Sequence, residues 1–224
     1  AADGKEVMYF AARHDHFLMQ PGDGYAARVG GATDVSTDAQ ALTWGGHGAG
    51  TIPHALIGAY AGDTLLATQK FAQHIDSSVR VIALVDFDND CVNTSLKVAR
   101  ALGDRLGGVR LDTSASLVDK SLQPLGDDPS LHGVNAKLVR MVRDALDKEA
   151  FHHVRIIVSG GFTPDRIRAF ESDGVPCDGY GVGSSILANQ GEFDFTADVV
   201  LVDGKPCAKV GRNWRPNKRL DSVT

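Results

Sequence analysis

The 224 residues carry 23 Lys and Arg against 28 Asp and Glu, a net charge of -5, and are 43% hydrophobic. That length suits one sizeable α/β domain, since barrels of this class run to roughly 200–250 residues, and the apolar content excludes disorder. No uncharged apolar run is long enough for a membrane span, no leader pattern opens the chain, and the mild acidity argues against nucleic acid as a partner. Three cysteines without a CxxC pair argue against a zinc site and fit a reducing, cytoplasmic setting.

The first residues, Ala1 to Glu6, read as the end of a helix running into an apolar strand. Without an initial Met, they lead to the expectation that an upstream domain precedes them. The next seventy or so residues are Gly-rich and irregular. Val79 to Val85 is a buried strand with Asp86 at its end, and Val92 to Leu102 has helical spacing. Gly107 to Asp112 is a short strand, and Leu138, Met141, Val142, Ala145 and Leu146 form an amphipathic stripe. His153 to Ser159 is a strand, and Thr163-Pro164-Asp165 opens a helix with N-cap, N1 proline and first-turn acid. Gly179 to Ile186 is a further strand and loop. Val199–Val202 and Pro206–Val210 read as a hairpin around Asp203-Gly204. Residues 1–224 thus read as one domain, with 196–224 a C-terminal hairpin and basic tail, its cations from Lys205 to Arg219 solvated. Alternation of strand and helix predicts a parallel sheet. The pattern itself leaves an open doubly wound sheet and a barrel both possible.

In parallel α/β folds the working loops follow the strands. Ser159-Gly160-Gly161, before the capped helix, is a phosphate cradle or a tight turn. Gly179 to Ser185 is a second small-residue loop one unit later; its G-x-G-x-G spacing is not the dinucleotide fingerprint. Two such loops in successive final units of a barrel suggest a shared phosphate site at Ser159, Gly160, Gly161, Gly181, Gly183 and Ser184. Asp86, Arg110 and Asp112 fall at strand ends, where carboxylates suit ribose hydroxyls or magnesium and arginine suits an anion. Asp86 to Asp90 begins like a calcium loop, but its sixth and twelfth positions are Cys91 and Lys97, so calcium is rejected. Asp88 and Asp90 then read as helix caps. Gly48 to Leu56 places His54 at the opening of an apolar segment, as a nucleophile, a proton carrier or a helix-start histidine. Arg13 ends the first apolar run. His14 and His16 lie two apart, on opposite sides of a strand, so no metal site is expected there. Ser36 and Thr37 close a hydroxyl-rich turn that offers donors to a small carboxylate or merely caps it.

Gly50-Thr51-Ile52-Pro53-His54 resembles the G-T-x-[AP]-H motif of nicotinate phosphoribosyltransferases. Gly30-Gly31 to Thr37, Phe10 to Arg13, Leu84 to Asp86, Val109 to Asp112, Ser159 to Gly161 and Gly179 to Ser184 resemble that family's other motifs, in its order, from about Val7 to Arg212. The resemblance implies an irregular TIM-like α/β barrel of a type II phosphoribosyltransferase. The family's second α/β domain, built largely from its N-terminal part, has no counterpart in these residues. It implies transfer of phosphoribose from phosphoribosyl pyrophosphate to nicotinate, with magnesium, ATP as co-substrate, and a homodimer or larger assembly. By position, His54 matches the histidine phosphorylated when ATP is hydrolysed, and Asp86 an acid near pyrophosphate and magnesium. Arg13, Ser36 and Thr37 match the nicotinate site, Arg110 and Asp112 residues near base and ribose, and the glycine loops the 5′-phosphate site. Departures are Ala12 for the Gly of F-G-x-R, His14 where a second Arg is common, and Asp112-Thr113 as in the shorter branch. Rival readings are nicotinamide or quinolinate as the base, a catalytically silent nucleotide- or phosphate-binding barrel, and an aldolase-type barrel, for which no strand end carries a lysine.

Overall fold

The computed structural model of this chain describes residues 1–126, 128–187 and 197–216. Its elements run β1 (Glu6–Tyr9), α1 (Gln20–Val29), β2 (Asp34–Val35), α2 (Asp38–Ala41), α3 (His54–Ala59), α4 (Thr64–His74), β3 (Val81–Leu84) and α5 (Cys91–Leu102). There follow β4 (Leu106–Leu111), α6 (Ala136–Lys148), β5 (Arg155–Val158), α7 (Pro164–Ser172), β6 (Gly179–Val182), α8 (Ser184–Leu187), β7 (Leu201–Val202) and β8 (Lys205–Pro206).

The first six strands form one parallel sheet in the order β2-β1-β6-β5-β4-β3, curled as a half-barrel. An extended segment stands between its two edges. The Ala49 amide donates to the Val35 carbonyl on β2 (2.7 Å), and the Ile52 amide to the Ile82 carbonyl on β3 (3.1 Å). This is the irregular side of the barrel that the Gly-rich first third foreshadowed. The strands are short apolar runs buried on both faces, as a helix-covered parallel sheet requires. Leu84, Val109, Leu111, Ile156 and Val158 join Leu138, Val142 and Leu146 of α6 in the main core. Each fully buried aliphatic side chain there contributes about 1.5–3 kcal/mol.

Several expectations need correcting. Residues 1–5 form a turn at Asp3-Gly4, both with positive φ, rather than the end of a helix. The third strand starts at Val81; Val79 and Arg80 are exposed, and the Val79 carbonyl accepts from Arg105 instead of a strand neighbour. Helix α1 was hidden by Pro21, Gly22 and Gly24. Gly24 is there because α2 crosses closely: a Cβ would lie 2.1 Å from the Gln40 carbonyl oxygen. Asp90 does cap α5 by position, but its carboxylate holds Asn93, and the Cys91 amide is satisfied by Asp119 at 2.9 Å. The hairpin exists around Asp203-Gly204, both with positive φ, but its strands are only two residues each. The end of the tail, from residue 217, and the residues between Leu187 and Ala197 lie outside the described residues. No helix among the described residues is long and apolar enough to cross a membrane.

Candidate active site

A cavity of about 440 Å³ lies beside the C-terminal ends of β1, β4, β5 and β6. Of the residues singled out in the sequence, Arg13, Ser36, Arg110, Asp112, Ser159, Gly160, Gly161, Gly181, Gly183 and Ser184 line it. Parallel strands deliver them there because every crossover returns the chain to the same end of the sheet.

The first small-residue loop follows β5. Gly160 and Gly161 both take left-handed backbone angles (φ +90 and +73), which a β-carbon would strain. Arg166 on α7 donates to the carbonyls of Gly160 (2.8 Å) and Gly161 (3.3 Å), fixing the turn. The Gly160 and Gly161 amides meet no protein acceptor among the described residues. Helix α7 begins just beyond, with Thr163 accepting from the Arg166 amide and Pro164 opening the first turn, as expected. The Ser185 hydroxyl donates to the Phe162 carbonyl at 2.8 Å, tying the second loop to the first. Together the two loops make a concave, glycine-lined wall able to take an anionic group.

The G-x-G-x-G spacing of the second loop has a packing cause. Gly179 and Gly181 alternate along β6, and Gly183, the residue after it, continues the alternation on the same face. A Cβ on Gly181 would lie 2.5 Å from the Phe10 ring, one on Gly183 2.6 Å from the Phe10 carbonyl oxygen, and one on Gly179 3.2 Å from the Glu6 carbonyl oxygen. The pattern lets β1 and Phe10 approach β6, and Phe10 forms part of the cavity wall.

Arg110 stands over the Phe10 ring, its guanidinium carbon 5.3 Å from the centroid. It donates to the Thr51 hydroxyl at 2.7 Å and to Asp112 Oδ2 at 3.4 Å. Asp112 Oδ1 accepts from the buried Ser159 hydroxyl at 2.8 Å. A cation, two hydroxyls and a carboxylate thus form one connected row beside the glycine wall.

Next to that row stands His54, at the first position of α3. Its Nε2 lies 3.0 Å from Asp86 Oδ1. The ligand atoms of His54, Asp86 and Asp112 all fall within 4.8 Å of one another. Asp86 is buried at 1% exposure. Burial alone would push its carboxyl up; the His54 hydrogen bond, the charge His54 carries only when protonated, and then the Lys209 charge outweigh that and hold it at about 2.

Sequence reading missed three residues. Lys209 was read as part of a solvated tail, yet it is only 8% exposed, paired with Asp86 Oδ2, and donates to the Asp112 carbonyl at 2.8 Å. Its apolar setting, Cys207-Ala208-Lys209-Val210, was the available signal. Thr51 was quoted within its motif but given no role, and Phe10 was read only as a strand end. Thr37 moves the other way: its hydroxyl caps α2 by accepting from the Gln40 amide (3.2 Å), and it is not among the cavity-lining residues. Ser36 lines the cavity while donating its hydroxyl proton to Gln40 Oε1. The Arg13–His16 stretch is a turn rather than a strand end, with His14 buried against the cavity and His16 exposed.

No family model matches the chain. It is 26% identical over 215 residues to nicotinate phosphoribosyltransferase pncB1 of Mycobacterium tuberculosis, covering 93% of this chain and 43% of that protein. It is also 26% identical over 199 residues to a nicotinate phosphoribosyltransferase of Bacillus subtilis, covering 86% of this chain and 36% of that one. Among solved structures, nicotinate-nucleotide pyrophosphorylase from Pyrococcus furiosus superposes with a TM-score of 0.71 at 35% identity, over 95% of this chain and 50% of the other. A nicotinate phosphoribosyltransferase from Porphyromonas gingivalis superposes at a TM-score of 0.59 with 17% identity, a likeness of fold, over 84% of this chain and 46% of the other. The chain spans half or less of each of these proteins. In sequence and in fold, it is similar to about half of a nicotinate phosphoribosyltransferase.

Proposed function

We propose that this chain carries the catalytic barrel of a nicotinate phosphoribosyltransferase, which makes nicotinate mononucleotide in NAD salvage. The observation that carries the reading is the convergence, in one cavity, of the glycine wall, the Arg110–Asp112–Ser159 row and the adjoining His54–Asp86 pair. Transfer breaks the bond from the anomeric carbon of ribose to pyrophosphate and forms one to the pyridine nitrogen. Pyrophosphate leaves with the bonding electrons. The ribose passes through a cationic state, so placement of charge dominates.

On this reading the loops of Ser159–Gly161 and Gly183–Ser184 take the 5′-phosphate, and Asp112 faces the ribose. Arg110 and Arg13 hold the nicotinate carboxylate against the Phe10 wall, with Ser36 beside them. Magnesium enters with the pyrophosphate group of the substrate. The protein's own carboxylate oxygens fit that better than a resident ion. Asp86 already receives His54 and Lys209, and Asp112 receives Ser159 and Arg110. ATP serves as second substrate: a neutral His54 attacks its terminal phosphorus, ADP leaves, and water later releases phosphate from the imidazole. Asp86 orients that ring. Exposed Phe17, Leu18, Met19, Tyr25, Val29 and Leu42, on and around α1 and α2, supply an apolar face for the homo-oligomer that the reading also implies. The setting proposed is the cytoplasm.

The test uses the full protein with phosphoribosyl pyrophosphate and magnesium. Pyrophosphate release is followed with nicotinate, nicotinamide or quinolinate, with and without ATP. Release with nicotinate, raised by ATP, is expected. Release with another base moves the substrate assignment. No release from a folded protein that binds phosphoribosyl pyrophosphate overturns the enzymatic reading in favour of a binding module.

A further inference from the structure

Lys209 reaches the site from outside the sheet. After the β7–β8 turn the chain does not run off as a tail. The Cys207 amide donates to the Val200 carbonyl (3.1 Å), the Val210 amide to the Phe87 carbonyl (2.9 Å), and Arg212 pairs with Asp198 (2.8 Å). The Val210 contact ties the segment to the residues after β3, the other two close the hairpin on itself, and the Lys209 ammonium is left between the ends of β3 and β4. One donor then serves two strand ends, pairing with the Asp86 carboxylate and donating to the Asp112 carbonyl.

The charge count around Asp86 gives this arrangement its meaning. The Asp86 side chain is fully buried and carries one negative charge, so it needs a counter-charge close by. The ionisable groups facing it are His54 from α3, Lys209 from the C-terminal segment, Asp112 with Arg110 from the end of β4, and Cys91 at the start of α5. Arg110 is committed to Asp112 and Thr51, and burial pushes the Cys91 thiol well above its usual range, so it stays uncharged. The choice of counter-ion lies between the ammonium of Lys209 and a second proton on His54. Lys209 is 8% exposed and already in place.

We infer that Lys209 is a positioning residue: by neutralising Asp86 it fixes His54 as a neutral imidazole, with its Nε2–H directed to Asp86 Oδ1 and the unshared pair on Nδ1. The C-terminal hairpin is therefore part of the active-site machinery. The inference rests on the proposed reaction only for its use, since a phosphoryl acceptor must be an unprotonated ring; the charge and tautomer stand on the geometry alone.

The experiment is nitrogen NMR of the His54 ring in the full protein, wild type against Lys209→Met and Lys209→Arg, with pyrophosphate release measured separately. The wild type is expected to show the neutral Nε2–H form at neutral pH. In Lys209→Met, where Asp86 has only His54 left, the ring should take up a second proton at neutral pH and lose the neutral Nε2–H signature. Lys209→Arg should restore the wild-type pattern. A folded Met variant with unchanged ring signals overturns the inference. Should the Met variant fail to fold, Lys209→Gln, which keeps a hydrogen-bond donor and removes the charge while Asp86 stays, decides the matter. A doubly protonated ring in that variant supports the inference, and a retained wild-type Nε2–H pattern overturns it. Absence of transferase activity in the wild type would sink the proposed function and leave these ring measurements interpretable.

Discussion

Replacing Gly181 by alanine separates two explanations of the glycine pattern on β6. The new methyl would stand 2.5 and 2.7 Å from two carbons of the Phe10 ring and 3.1 Å from the Ser159 Cβ. Carbon–carbon contacts are comfortable at about 3.5 Å or more, so the ring must move by roughly 1 Å. Crowding of this kind in a packed region costs about 1–3 kcal/mol. Some of that is the stacking of Arg110 over Phe10, worth about 1 kcal/mol in a half-buried setting. Because Arg110 also holds Thr51 and Asp112, the displacement passes into the site. A shift of that size in a reacting array lowers kcat/KM by between roughly ten- and a hundredfold. Urea denaturation reads the stability loss, and pyrophosphate release with nicotinate varied reads the catalytic loss. With Phe10→Ala, which removes both clashing ring carbons, as the background, Gly181→Ala should cost little further stability. Wild-type stability in Gly181→Ala would refute the packing argument. A loss confined to the KM of phosphoribosyl pyrophosphate and unchanged in the Phe10→Ala background would return Gly181 to a direct phosphate contact.

Ser159→Ala removes the hydroxyl that holds Asp112 Oδ1 and should cost about 0.5–1.5 kcal/mol of stability. It should also raise the KM of phosphoribosyl pyrophosphate more than that of nicotinate, as initial rates with each substrate varied would show. Asp86 governs acid stability: its folded carboxyl sits at about 2 against an unperturbed 3.8. Its stabilisation is complete above the unfolded value and lost as pH falls through the folded one, a loss on the order of 2 kcal/mol. Unfolding free energies measured over that acid window should fall less steeply in Asp86→Asn than in the wild type, and parallel curves would contradict the assignment.

How much of this was legible in the sequence depends on how local the cause is. Helix α7 was read correctly because Thr163, Pro164 and Asp165 act within one turn of the residues they organise. The α6 stripe was read because burial of Leu138, Val142 and Leu146 repeats at the helical period. Helix α1 was missed because its glycine answers to α2, sixteen residues away in sequence and in contact only after folding. Propensity counts Gly24 as a breaker, whereas packing requires it. The same holds on β6, where the spacing looks like a ligand loop and is in large part the imprint of β1.

The candidate site divides along the same line. Strand-end positions were legible because a parallel sheet sends every crossover to one end, so Asp86, Arg110, Asp112 and Ser159 could be placed together before any coordinates. Their partners were not: His54 meets Asp86 across 32 residues, Arg110 meets Thr51 across 59, and Lys209 meets the Asp112 carbonyl across 97. Motif reading sees which residue types are present and cannot see which charge balances which. A lysine in a C-terminal stretch with several other cations looks solvated by composition, and only its fixed place between two strand ends makes it the counter-ion of a buried carboxylate. The charge state of His54 is therefore written in two distant segments of the chain, α3 and the C-terminal hairpin. Substitutions near residue 209 should for that reason act on the chemistry at residue 54 while leaving the glycine wall intact.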